Sequence, residues 1–229
     1  MEVLKVSSTG NLLLDAACIL GLFEILHRID INLDCEINLG TQTPAIFKIK
    51  DFGNVLNNLK TTIKEISREI SDRFKFYINL GGGDRNKPPA DYLKDDLSDN
   101  VIITSISELE MAFKTLKKGK STSFKLLPMD LMPTYGKGLR TWNDTQKEIS
   151  AYGHPLLIAS YIVGLCLYGI GSSTSDKRFF LLLSPPLGDP VNIDYLYVLR
   201  RVSSSFYSPD NREIINMLND VPIECIPLI

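Results

Sequence analysis

The sequence is poor in the residues that most often carry chemistry. Its 229 residues include two histidines and four cysteines. Cys18, Cys35, Cys166 and Cys225 lie far apart with no CxxC pair, which excludes a written zinc site or thioredoxin-type motif. Asp91, Asp95, Asp96 and Asp99 lack the spacing of a calcium loop. No metal or cofactor is therefore expected. Neither histidine has a serine or cysteine at a spacing that marks a nucleophile pair. His27 closes an apolar run, where an imidazole can bond the last helical carbonyls, and His154 stands where a helix needs a cap. No catalytic residue is assigned. The competing enzymatic reading is a small hydrolase using Cys18 or a serine with one of these histidines.

Charge is also missing locally. From Ala151 to Ser175 there is no Lys, Arg, Asp or Glu, and PLLIASYIVGLCLYGIG is strongly apolar. A membrane span needs about 20 mostly apolar residues. This run is broken by Tyr161, Gly164 and Tyr168 and has no basic cluster on its flanks. It reads as a buried core helix opened by Pro155 at its first position, with a membrane-attached interaction protein as the alternative. The opening MEVLKVSSTGN lacks the basic flank and cleavage site of a secretory signal, so a cytoplasmic protein with reduced cysteines is expected.

What is present fits a globular chain: 44% hydrophobic and 23% charged residues. Residues 12–28 are apolar almost all round and predict a buried helix, with Asn11 its cap. Glu36–Leu39 and Ala45–Lys50 predict a hairpin across a Gly-Thr-Gln-Thr-Pro turn. Val55, Leu59, Ile63, Ile66 and Ile70 recur at helical spacing over 54–73. Strands are expected at 74–80, 101–104 and 179–183. Residues 84–99 read as a polar loop or mobile insertion. Ser105 and Glu108 form a capping box for a helix with Ile106, Leu109, Phe113 and Leu116 on its apolar face. Further helices are expected at 191–207 and 210–219. The fold class is α+β: helices and a short antiparallel sheet around one core, in a single domain over 1–229 or two lobes dividing near 84–100.

The stretch KKGKSTSFK, Lys117–Lys125, ends like a phosphate-binding loop. That loop requires a first glycine at position 114, which is Lys114, and a strand leading into a helix. Here a helix precedes the Gly-Lys-Ser. Gly119 reads as that helix's C-terminal cap, with Lys114, Lys117 and Lys118 in its last turns, where cations suit the dipole. Not all the lysines are explained this way. Between Glu110 and Asp144 stand Lys114, Lys117, Lys118, Lys120, Lys125, Lys137 and Arg140 against the single acid Asp130, a net +6 that leaves the rest of the chain at −8. Residues 84–110 hold seven acids against three bases. Two solvated loops of opposite sign are one reading. The other is a basic patch for phosphates, with Phe124, Tyr135 and Trp142 interleaved for base stacking or for the core. Arg200 and Arg201, near the end of the 191–207 helix, are further candidates. The overall charge is −2, so nucleic-acid binding must be local.

The opening S-T-G-N-L-L-L-D-A-A, Ser8–Ala17, resembles the N-terminal signature of large subunits from type I CRISPR effector complexes: Thr-Gly-Asn/Asp, two or three apolar residues, Asp, then small residues opening an apolar helix. Thr9, Gly10, Asn11, Asp15 and Ala16 match it, over ten residues of the chain. The resemblance implies a non-nuclease subunit at the 5′ end of the guide RNA that meets the motif flanking the target DNA. It further implies neighbouring subunits of a ribonucleoprotein and a separate helicase–nuclease recruited at interference. Gly10 and Asn11 read as an ordinary helix entry or as a tight turn approaching a partner. Asp15, inside the apolar helix, requires a partner, such as a backbone N–H of a neighbouring element or an arginine. The acidic loops would face a basic partner subunit.

Overall fold

The computed structural model describes residues 1–10, 12–73, 89–114, 117–118, 124–126, 151–173 and 178–206. The chain begins with β1 (Glu2–Val6), α1 (Leu12–Ile29), β2 (Asp34–Ile37), β3 (Ala45–Ile49) and α2 (Phe52–Arg73). Both β1 and β2 run antiparallel to β3, one on each side. β1 and β2 are thus parallel to each other with β3 between them, a split β-α-β arrangement. Period-two patterning fixes the faces: Leu4, Val6, Cys35, Ile37, Phe47 and Ile49 point into the core, while Lys5, Asp34, Glu36 and Lys48 stay exposed.

The next described segment corrects the expected polar loop. α3 (Pro89–Asp91) runs into a π-helical turn over Tyr92–Leu97 and a 3-10 turn over Ser98–Asn100. Ala90, Leu93 and Leu97 are buried, and these few apolar groups suffice to seat an otherwise polar segment on the core. Residues 101–104 form no strand ladder; the expected alternation survives in burial, with Val101 and Ile103 inward and Ile102 outward. α4 (Ile106–Lys114) follows, with the Ser105 hydroxyl accepting the Glu108 N–H at 3.2 Å. The Glu108 carboxylate reaches back to the N–H and hydroxyl of Thr104, both at 2.7 Å, one residue before the capping position.

A three-stranded sheet joins β4 (Lys117–Lys118), β5 (Phe124–Leu126) and β6 (Ala151–Gly153), with β6 in the centre. α5 (Pro155–Tyr168) is buried along its whole length. β7 (Gly169–Ser173) and β8 (Arg178–Leu182) form a hairpin, and β9 (Val191–Asn192) extends the first sheet beside β2 before α6 (Ile193–Phe206). The α+β class holds. The strand expected at 74–80 and the helix expected at 210–219 lie outside the described residues.

The core is organised by α1 against α5. Ala17 and Gly21 on one helix, and Ser160 and Gly164 on the other, are small residues four apart, which lets two backbones approach closely. A Cβ placed on Gly21 would overlap the Ser160 carbonyl oxygen, and one on Gly164 would overlap the Ala17 carbonyl oxygen. α5 has 14 residues, and among the described residues no helix is long and apolar enough to cross a membrane.

Candidate nucleic-acid interface

The lysine stretch is not a capped helix end. α4 stops at Lys114, and Lys117–Lys118 belong to β4, so they do not lie in the helix's last turns; Gly119 lies outside the described residues. Local capping rules suggested a helix terminus here, but pairing with a distant strand decides the backbone. Lys117 pairs with Tyr152 and Lys118 with Ala151. On the other side of β6, Phe124 pairs with Gly153, Lys125 with Tyr152 and Leu126 with Ala151. Both ends of KKGKSTSFK therefore grip the same strand. Lys117, Lys118 and Lys125 are brought into one small sheet, immediately before the buried α5. Lys120, Lys137 and Arg140 lie outside the described residues, as do Tyr135 and Trp142.

The other two candidate cations separate. Arg201 is exposed on α6. Arg200, one residue earlier, turns inward. Its Nε lies 3.3 Å from Glu24 and its Nη2 2.7 Å from Glu69. Its Nη1 donates to the Leu167 carbonyl at 3.3 Å and the Ser204 hydroxyl at 2.7 Å. Arg28 bonds Glu69 at 2.5 Å, and the buried Tyr168 hydroxyl donates to Glu24 at 2.9 Å. This junction joins α1, α2, α5 and α6. Sequence reading missed it because its members are separated by up to 176 positions, from Glu24 to Arg200.

The Ser8–Asp15 segment forms a closed local motif. The buried Asp15 carboxylate accepts the Ser8 hydroxyl at 2.5 Å, the Thr9 N–H at 2.7 Å and the Thr9 hydroxyl at 2.6 Å. Gly10 sits at φ +82°, a left-handed conformation that glycine adopts without strain, and its N–H donates to Ser8 Oγ at 3.0 Å. Ser8, Thr9, Gly10 and Asp15 thus fold the entry of α1 back on itself. Asn11 lies outside the described residues.

The acidic residues are partly engaged within the chain. Asp99 bonds Lys60 at 2.6 Å and Lys64 at 3.0 Å, and these cations hold its pKa below the usual value. Glu110 accepts the Lys5 N–H at 3.2 Å, on the edge of β1 away from β3. The exposed face of the first sheet mixes Lys5 and Lys48 with Asp34 and Glu36, and Lys48 bonds Asp34 at 2.7 Å. That face offers neither one sign of charge nor an aromatic row, unlike sheets that stack bases.

The cysteines and histidines have structural surroundings. Cys18, Cys35 and Cys166 are buried, and desolvation pushes their thiols up, Cys35 to about 12; a reactive thiol needs the reverse shift. Among the described residues no cluster of His, Cys, Asp and Glu could hold a metal. His154 caps α5 as expected, its Nδ1 accepting the Leu156 N–H at 3.1 Å. His27 departs from expectation. It stacks on Phe23, its Nε2 lies 2.9 Å from the Tyr197 hydroxyl, and its buried Nδ1 has no partner, so it bonds α6 and not its own helix end.

Burial holds both histidine pKa values below the ordinary 6.5. An unfolded chain then binds more protons than the native one as pH falls below about 6.5. The associated stability is present above that value and is lost as pH falls through the depressed native values. The melting temperature is expected to drop between pH 7 and pH 5. His154→Asn, which keeps a capping oxygen but cannot titrate, removes part of the drop; an identical pH profile would contradict the capping role.

The chain matches no family model, no curated protein and no solved structure.

Proposed function

We propose that the chain is a non-catalytic nucleic-acid-binding subunit of an RNA-guided CRISPR-type antiviral effector complex, meeting the 5′ end of the guide RNA or the motif flanking the target DNA. The observation that carries the binding part is the folding of Lys117, Lys118 and Lys125 onto two sides of one strand. A solvated helix end would leave such lysines as separate mobile charges. Backbone pairing gathers these lysines within the most basic segment of an acidic chain, and clustered cations neutralise phosphates without reading sequence. The complex itself rests on the resemblance of Ser8–Ala17, whose Ser8, Thr9, Gly10 and Asp15 form one hydrogen-bonded unit. Neighbouring subunits, guide RNA, target DNA and a recruited helicase–nuclease are the implied partners, in the cytoplasm.

The elevated thiol pKa values and the structural bonding of both histidines give the hydrolase alternative no support. Fluorescence anisotropy with labelled RNA, single-stranded DNA and duplex DNA tests the binding. Affinity is expected to fall linearly in log salt, by about 0.7–0.9 per phosphate contact. Failure to bind any of the three at low salt overturns the reading.

A further inference from the structure

Among the described residues, one face of α6 has no partner. Leu196 and Ser203 are buried and seat the helix on the core. The opposite side carries Tyr195, Val198 and Val202, which are 37%, 57% and 40% exposed. Their spacings of three and four place them in one stripe along the helix. A single exposed apolar residue needs no explanation, but a contiguous stripe with a polar rim marks an interaction surface. Asp194 and Arg201, both exposed, stand on one edge of that stripe two helical turns apart. Among the described residues no ion pair engages either of them. Asp194 lies in the first turn, where the helix dipole favours an acid. Arg201 lies before the last turn, which carries no base, so the dipole does not account for it.

We propose that this face pairs α6 antiparallel with α6 of a second copy of the chain, about a two-fold axis beside Val198. The pattern of charge is complementary to itself in that orientation. An axis between residues 197 and 198 brings Asp194 opposite the partner's Arg201, and Arg201 opposite the partner's Asp194. An axis one residue further along, a shift of about 1.5 Å, sets Tyr195 against the partner's Val202. One two-fold axis therefore serves both edges of the stripe, with Val198 against its own copy at the centre. A parallel pair would set acid on acid and base on base, which is unfavourable. This face supplies far fewer than the roughly 20–30 residues a side of a stable interface, so the dimer is weak and concentration-dependent. Arg201, a phosphate-binding candidate by sequence, acquires a different role here, and nothing in the pairing depends on nucleic acid.

Sedimentation velocity of the full chain, without nucleic acid, tests the pairing from about 5 µM to about 500 µM, the range of weak association. Wild type is expected to pass from monomer to dimer across it. Val198→Glu sets two like charges against each other at the axis and abolishes the dimer. Asp194→Arg and Arg201→Asp each place like charges opposite one another at both ends, and each weakens association by about tenfold or more. In an equimolar mixture of these two variants, opposite charges meet again at both ends, and association returns to near the wild-type level. All three positions are exposed, so the monomer fold is expected to survive each change. The mixture decides the matter if Val198→Glu does not fold. A wild type that stays monomeric throughout overturns the proposal. So does a dimer that persists in folded Val198→Glu, or a mixture that associates no better than its components.

Discussion

Replacing Gly21 by alanine is expected to lower the melting temperature by about 10 °C. The new methyl group meets the Ser160 carbonyl oxygen, its carbonyl carbon and the Gly164 backbone nitrogen. These are main-chain atoms of a helix buried along its whole length, so no side chain can turn aside to make room. Overpacking a rigid core costs about 1–3 kcal/mol and sometimes more. The helix backbone on both sides of this contact puts the cost near the top of that range, and each kcal/mol is worth about 2–4 °C in a chain of this size. Gly164→Ala meets the Ala17 backbone in the same way and has the same expected effect. Gly53→Ala is the control. It lies in the first turn of α2, its added methyl makes only an ordinary 3.5 Å contact with Asp51, and alanine is the better helix former. Thermal melts of the three variants check the contrast. Equal melting temperatures would mean that α1 and α5 do not touch through their backbones.

Arg200→Met is expected to destabilise the fold by about 3 kcal/mol, because its guanidinium, together with Arg28, joins Glu24 to Glu69 and ties α6 to α1 and α2. Removing one partner of a largely desolvated pair leaves the other charge less compensated, which costs more than the pair itself contributes. Glu24 has a side chain only 11% exposed, so water does not replace the lost partner. Arg28 remains near both carboxylates and limits the loss. Glu24→Gln in the Arg200→Met background should then cost less than the sum of the two single changes, because the orphaned charge is gone. Urea unfolding of the two single variants and the double variant measures this coupling. Additive effects would mean that Arg200 is an ordinary surface cation, and would return it to the list of phosphate-binding candidates.

The sequence showed the elements better than their partners. Residues 12–28 and 155–168 are apolar around their circumference, and that alone demands burial. Which buried helix meets which depends on Gly21 and Gly164, and a glycine's spacing does not reveal whose carbonyl it faces. The hairpin of β2 and β3 was legible because its turn is local and its strands alternate. Asp15 was legible as a carboxylate needing a partner, but the donors expected from a neighbouring element or an arginine are instead Ser8 and Thr9, seven and six residues before it.

The same local logic misplaced the lysine stretch. Gly119 after a run of lysines satisfies the rules of a helix end, yet Lys117 and Lys118 pair with a strand more than thirty residues on. Segregated charge marked the segment as basic, but nothing local could reveal that its two ends flank Tyr152. The Glu24–Arg200 junction is hidden for the same reason. Long-range pairing is settled by the shared core, and no window of adjacent residues contains it.

The measurement that tests the central claim most directly compares salt slopes. Wild type and a variant with Lys117, Lys118 and Lys125 changed together to Glu are titrated with one labelled single strand across a salt series. If the small sheet holds phosphates, the variant binds more weakly and its slope is shallower by about two, at roughly 0.7 per lost contact. A variant with wild-type affinity and slope would contradict the account and place any nucleic-acid contact elsewhere on the protein.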